Sequence, residues 1–234
     1  MSPGDDPAGR AREAAARAAL ERLEPGMTIG LGSGRAVWRL IELIGARWPG
    51  GSPPLRAAFA SDRTRELAAV QGIEAVELDG TVRLTLAIDG ADEVDPQLGL
   101  IKGGGAALLR EKIVVTAAER FLVVAETRKR VSRLGETFKL PVEVVRFGWA
   151  DTRRRLLDTL LPSADLRMEG AVPTVTDEGH LLLDCTVPDA TDPQTLGDAL
   201  KATVGVVEHG LFIGLADEAL LGKPDGQVEV MTRP

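Results

Sequence analysis

The sequence predicts an α/β fold: a doubly wound, Rossmann-like sheet domain carrying an inserted ferredoxin-like α+β domain. Three observations predict it. Through the first half of the chain, short apolar runs of strand length alternate with helix-forming stretches, the pattern of a sheet wound by helices. From about Glu136 the order becomes β-α-β-β-α-β, which is ferredoxin-like. Two late strand candidates, Leu211 to Ile213 and Gln227 to Met231, then still need a sheet and are assigned back to the first domain. The expected division is 1–135 plus 210–234 for the α/β domain and 136–209 for the insert.

Met1 to Gly9 reads as a frayed tail. Ala11 to Leu23 is alanine-rich and helical, stopped by Pro25-Gly26. Thr28 to Leu31 is a short strand running into the loop Gly30 to Gly34. Val37 to Ala46 is a helix, with Val37, Leu40, Ile41 and Ile44 on one face. Trp48 to Pro54 is a Pro/Gly loop, and Leu55 to Ala60 the next strand. Ser61 is placed to cap a helix over Thr64 to Gln71. Strands at Ile73 to Leu78, Thr85 to Ile88 and Phe121 to Ala125 complete the first half. In the insert, Pro141 to Val145, Val172 to Val175, His180 to Cys185 and Gly205 to His209 are strands. Asp151 to Leu161 and Pro193 to Ala202 are helices.

The 234 residues suffice for one domain, or one with a smaller satellite. The net charge of −7 argues against a nucleic-acid surface, so an anionic ligand has to be met by a local group of cations and amides. A lone cysteine, Cys185, cannot form an internal disulfide and reads as a small core residue. The acidic opening lacks the apolar core of a signal peptide, and no apolar run reaches membrane-spanning length. A cytoplasmic protein with no membrane and no nucleic-acid partner is expected.

The densest chemistry lies in Leu86 to Lys112. Asp89, Asp92 and Asp95 recur at a spacing of three, Lys102 precedes Gly103, Gly104 and Gly105, and a helix-like run carries Glu111. Acids just past a strand end lie on the edge where open α/β sheets bind ligands. Glycines let the backbone approach a ligand, and a helix start offers bare amides and a positive dipole end. Glu111 is expected between one and two turns into its helix. Such a set suits proton transfer on an oxygen-rich substrate. The acids do not match the D-x-D-x-D-G calcium loop and no His or Cys joins them, so no metal is assigned. Asp95 reads as a solvated turn acid. The Gly30 loop is no dinucleotide fingerprint, because Arg35 takes the slot of the last glycine, and no P-loop lysine follows. Its amides either hold a phosphate or close a plain turn.

The blocks DGADE (Asp89 to Glu93) and KGGGAALLREK (Lys102 to Lys112) resemble the A-type ribose-5-phosphate isomerases. GLGSG at Gly30, ASDRT at Ala60, LPVEV at Leu140, VTDEG at Val175, GLF at Gly210 and GKPDG at Gly222 extend the resemblance almost end to end. It implies interconversion of D-ribose 5-phosphate and D-ribulose 5-phosphate in the non-oxidative pentose phosphate pathway, through an enediol(ate). It also implies no cofactor, a small-molecule sugar phosphate as partner, and a homodimer or homotetramer. Carried over by residue, the resemblance implies Glu111 as base, Lys102 as stabiliser of the enediolate oxygen, and Asp89 and Asp92 facing the substrate. Gly90, Ala91 and Gly103 to Gly105 then lie against substrate. The phosphate falls to Ser33, Gly34, Arg35 and Ala36, where the family has T-G-S-T; two hydroxyls are missing and Arg35 stands in for them. Arg12 and Lys129 align with basic family residues near the site. Ser61 and Thr64 match the family's S-x-x-T.

Two other readings compete. A non-catalytic sugar-phosphate sensor on the same fold would lack the base or the lysine, and this chain keeps both. An amino-sugar deaminase or lactonase on a related fold relies on a histidine near the site, whereas His180 and His209 lie in the insert and read as structural.

Overall fold

In the computed structural model, which describes residues 6–51 and 55–233, the first strand lies inside a seven-stranded sheet. That strand, β1 (Thr28–Leu31), is buried throughout, as befits a central parallel strand covered on both faces. It is joined by β2 (Arg56–Phe59), β3 (Glu74–Ala75), β4 (Leu86–Asp89), β7 (Phe121–Glu126), β15 (Glu218–Gly222) and β16 (Val228–Thr232). The sheet order is β16-β15-β7-β4-β1-β2-β3, and all pairs but β15–β16 are parallel. Counting the six parallel strands along the chain gives 3-2-1-4-5-6, the doubly wound order, with its switch point between β1 and β4.

Helices α1 (Pro7–Leu20), α2 (Arg35–Arg47), α3 (Asp62–Val70) and α4 (Leu108–Thr116) accompany these strands. α2 buries Val37, Leu40, Ile41 and Ile44, the face its periodicity predicts. α1 buries five alanines, and a Cβ on Gly222 would stand 1.9 Å from the Ala11 carbonyl oxygen. Small residues on both sides therefore let helix backbone touch strand backbone. The Ser61 hydroxyl accepts from the Thr64 amide at 3.2 Å and caps α3 as expected.

Contacts divide the chain into two compact units. One runs to Ala91 and takes up Arg110–Arg130 and the chain from Leu215; the other holds Asp92–Leu109 and Val131–Gly214. Within the second, β8 (Leu140–Val144), β9 (Ala164–Leu166), β12 (Leu181–Cys185) and β13 (Val206–His209) form an antiparallel sheet in the order β13-β8-β12-β9. With α5 (Trp149–Thr159) and α6 (Pro193–Ala202) in sequence, this is the ferredoxin-like order 4-1-3-2. β5 (Glu93–Val94), β6 (Leu100–Ile101) and β14 (Leu211–Phe212) make a small three-stranded sheet in the same unit.

Several expectations need correction. The unit's second strand is β9, not Val172 to Val175; β11 (Val172–Pro173) pairs instead with β10 (Met168–Glu169) in a short hairpin. Leu211 to Ile213 does not return to the large sheet, because β14 pairs with β6. β15 was not anticipated: its Glu-Ala-Leu-Leu-Gly has neither alternation nor β-branched residues, though all five positions are buried. The observed units also differ from the expected boundaries, since 92–109, 131–135 and 210–214 group with the second unit. The frayed-tail and Pro/Gly-loop expectations fall partly outside the described residues, at 1–5 and 52–54. Cys185 is a buried core residue, its thiol pushed up to about 12 mainly by burial.

One carboxylate organises the second unit around the small sheet. Glu93 is fully buried on β5 and accepts from the amides of Gly135 (2.6 Å), Thr137 and Phe138 (2.7 Å) and from the Thr137 hydroxyl (2.8 Å). It ties the loop entering β8 to β5. Glu93→Gln removes the charge and turns an NH2 group toward these donors. Urea unfolding should show a loss of about 2 kcal/mol; an unchanged midpoint would deny the carboxylate this role.

Candidate active site

At the switch point of the large sheet, β1, β2 and β4 end side by side. Asp89, the last residue of β4, is 0% exposed. Its Oδ1 accepts from the amides of Gly90 at 2.7 Å and Ser33 at 3.1 Å. A Cβ on Gly32 would lie 1.8 Å from the Asp89 carboxyl carbon, so this glycine is bare because the carboxylate occupies the space. A chain of hydroxyls runs along the same edge. Ser33 Oγ lies 3.1 Å from Ser61 Oγ, Ser61 Oγ lies 2.9 Å from Thr64 Oγ1, and Trp38 Nε1 donates to Thr64 Oγ1 at 3.0 Å. Ser61 thus both caps α3 and meets the glycine loop.

Gly34, at φ 112°, is the N-cap of α2 and leaves the helix start without a side-chain cap. Arg35 follows, exposed, and Ala36 is buried. Arg35, Arg12, Arg39 and Trp38 help line a cleft of about 820 Å3. Lys129 sits half-buried in a short 3-10 turn (Thr127–Lys129) just past β7.

Glu111 is only 4% exposed. It lies in the first turn of α4, not between the first and second turns. The chain goes through a tight turn after Lys102, with Gly103 at φ 106° and Ala106 at φ 63°, and becomes helical only at Leu108. A carboxylate in that turn stands at the positive end of the helix dipole. Its neighbour Arg110 pairs with Asp62 at 3.1 Å.

In the second unit Lys102 is 2% exposed, with Nζ 5.5 Å from the centre of the Phe212 ring. An ammonium near an aromatic face keeps its charge out of water at lower cost. The Lys102 amide donates to Gly210 O at 2.9 Å, and a Cβ on Gly210 would stand 2.2 Å from the Lys102 oxygen. Asp92 is half-buried, and its Oδ2 accepts from the Gly104 amide at 2.8 Å. A Cβ on Gly104 would come within 2.9 Å of both Asp92 oxygens. Asp95 is not the solvated acid expected. It is buried, closes the β5–β6 turn through the amides of Gln97 and Gly99, and burial pushes its carboxyl up against their pull. His180, read as structural, lies 2.9 Å from the buried carboxylate of Glu143, which also accepts from Thr176. Among the described residues no group of three or more His, Cys, Asp or Glu could hold a metal ion. No helix among them is long and apolar enough to cross a membrane.

The first unit thus offers two buried carboxylates and a row of hydroxyls, and the second a buried ammonium, a carboxylate and glycine amides. A family model described as ribose 5-phosphate isomerase A (phosphoriboisomerase A) matches residues 57–226. The chain is 43% identical over 236 residues to a ribose-5-phosphate isomerase A of Ruegeria sp., covering 98% of this chain and 90% of that one. Among solved structures, the ribose 5 phosphate isomerase A of Neisseria gonorrhoeae is 34% identical with a TM-score of 0.87, covering 98% of both chains. A D-ribose-5-phosphate isomerase solved in complex with phospho-erythronic acid is also 34% identical, with a TM-score of 0.89 over 95% of this chain and 98% of that one.

Arg12, which the resemblance puts near the site, donates to Glu126 at 2.8 Å and to Asp6 at 3.0 Å. Burial raises the Glu126 carboxyl, but the hydrogen bond from Arg12 and the nearby Arg128 charge bring it below the ordinary value of 4.5. A lowered carboxylate contributes stability that is fully present above its ordinary value and is lost as pH falls through the folded one. The loss in unfolding midpoint caused by Arg12→Met should therefore be largest near neutrality and shrink below pH 4.5. A loss that is constant with pH would mean that packing, not the ion pair, carries the effect.

Proposed function

The chain belongs to the ribose 5-phosphate isomerase A family, and on that footing we propose that it interconverts D-ribose 5-phosphate and D-ribulose 5-phosphate by proton transfer through an enediol(ate). In the open-chain aldose, Glu111 removes the proton on C2. The electron pair moves into a C1–C2 double bond, and charge collects on O1, where the Lys102 ammonium stabilises it. Glu111 returns the proton to C1 while Asp92 passes the O2 hydroxyl proton toward O1, leaving the ketone at C2. Asp89, whose carboxylate is held by two amides, assists opening of the furanose ring. The amides of Gly90, Ala91 and Gly103 to Gly105 lie along the substrate, with Lys129 beside it.

The phosphate is assigned to Ser33, Gly34, Arg35 and Ala36 at the head of α2. Unpaired helix-start amides suit an anion, and Arg35 supplies the charge-assisted bond for which the family uses hydroxyls. Arg12 contributes field from its pair with Glu126 rather than a free guanidinium. The phosphorylated sugar acid bound by one solved relative is proposed to bind here as well. A homodimer or homotetramer working in the cytoplasm completes the reading.

The observation that carries this reading is burial. Asp89, Lys102 and Glu111 are 0%, 2% and 4% exposed, and ionisable groups are not kept from water without partners or a task. A sensor would need neither a buried base nor a buried ammonium. Turnover of ribose 5-phosphate by wild type and Glu111→Gln, each with and without EDTA, tests the assignment. The variant should lose about 10²–10⁴-fold in kcat, and the chelator should change nothing. Activity surviving the substitution would remove Glu111 from its role, and EDTA sensitivity would bring a metal back into the mechanism.

A further inference from the structure

Arg167 lies at the end of β9, outside every motif that pointed to the site. Its side chain is only 14% exposed. One edge of the guanidinium is spent on Asp184 of β12: Nε reaches both carboxylate oxygens, at 3.2 and 3.0 Å, and Nη2 reaches Oδ1. The remaining nitrogen, Nη1, points to the glycine turn and donates to Gly103 O at 2.7 Å. That oxygen also accepts from the Ala106 amide at 3.1 Å, across a turn in which Gly103 and Ala106 both have positive φ.

The peptide group between Gly103 and Gly104 is therefore gripped at both ends. Its carbonyl takes the Arg167 bond, and its N–H gives the 2.8 Å bond to Asp92 Oδ2. A charged donor on the carbonyl polarises the peptide and makes its N–H a stronger donor, so bonds in such a row reinforce one another. All four participants, Asp184, Arg167, the Gly103–Gly104 peptide and Asp92, belong to the same compact unit. A lysine could not reproduce the arrangement, because only a planar fork holds a carboxylate along one edge and a carbonyl with its third nitrogen.

We infer that Arg167 is a positioning residue for the isomerase reaction, fixing the Asp92 carboxylate through a single peptide group while Asp184 fixes Arg167. The inference depends on the role proposed above for Asp92 and adds what holds that carboxylate in place. Loss of the clamp leaves the Asp92 carboxylate free to shift by more than proton transfer tolerates, and small misplacements are costly to rate.

The test is a double-mutant cycle on ribose 5-phosphate turnover, using Arg167→Met, Asp92→Asn and the double variant, with thermal unfolding followed in parallel. Arg167→Met should lower kcat by about 100-fold with little change in KM. In the double variant it should add almost nothing to the loss from Asp92→Asn, because Arg167 acts on the reaction only through that carboxylate. A merely structural arginine would give losses that multiply, and that result overturns the clamp. So does wild-type kcat in Arg167→Met when Asp92→Asn is slow. Wild-type kcat in Asp92→Asn instead overturns the proton-carrying role of Asp92, and the clamp's function with it. Should Arg167→Met fail to fold, Arg167→Lys and Asp184→Asn enter the same cycle, each expected to show a smaller loss that again disappears in the Asp92→Asn background.

Discussion

Keeping ionisable side chains out of water is the demand that shapes this chain. An unpaired charge in a protein interior costs several kcal/mol, so each buried group has to be met by a specific partner. Asp89 is met by two amides, Glu93 by three amides and a hydroxyl, and the half-buried Asp92 by the amide of Gly104. Lys102 is set near the Phe212 ring. The glycines follow from this. At position 32 the carboxylate stands where a Cβ would be, and at 104 a Cβ would press to 2.9 Å from both Asp92 oxygens.

The course of the chain explains why so much chemistry sits in so short a stretch. The backbone leaves the first unit after Ala91 and re-enters it at Arg110. Everything from Asp92 to Leu109 folds with the ferredoxin-like unit, through the pairing of β5, β6 and β14. One continuous segment thus equips both units. Asp89 and Glu111 belong to the first, Asp92 and Lys102 to the second.

Much of this was legible from residue patterns. The alternation of strands and helices, the buried face of α2 and the Ser61 cap depend on neighbours a few residues apart, and they appear where the sequence puts them. What was missed depends on contacts that are distant along the chain. Strand β15 is buried on both faces and so lacks alternation. Strand β14 pairs with β6 because Gly210 lets the chain come close to the Lys102 carbonyl, which no local pattern signals. Asp95 and Glu93 stand among acids that look alike in sequence, yet local amides bind Asp95 into a turn and a loop more than forty positions away saturates Glu93. Arg167 reaches Gly103 across 64 positions. Glu111 stands nearer the start of its helix than residue patterns predict, because the positive φ of Ala106, a residue that ordinarily favours helix, delays that start.

If a buried carboxylate carries the migrating hydrogen as a proton, that hydrogen must exchange with solvent over repeated turnovers. Incubation with ribose 5-phosphate in deuterium oxide, followed by NMR well beyond the time needed to reach equilibrium, reads this out. Deuterium should accumulate at C2 of ribose 5-phosphate and C1 of ribulose 5-phosphate, and much more slowly with Glu111→Gln. Full retention of the original hydrogen through many turnovers would mean a hydride shift, and would contradict the account.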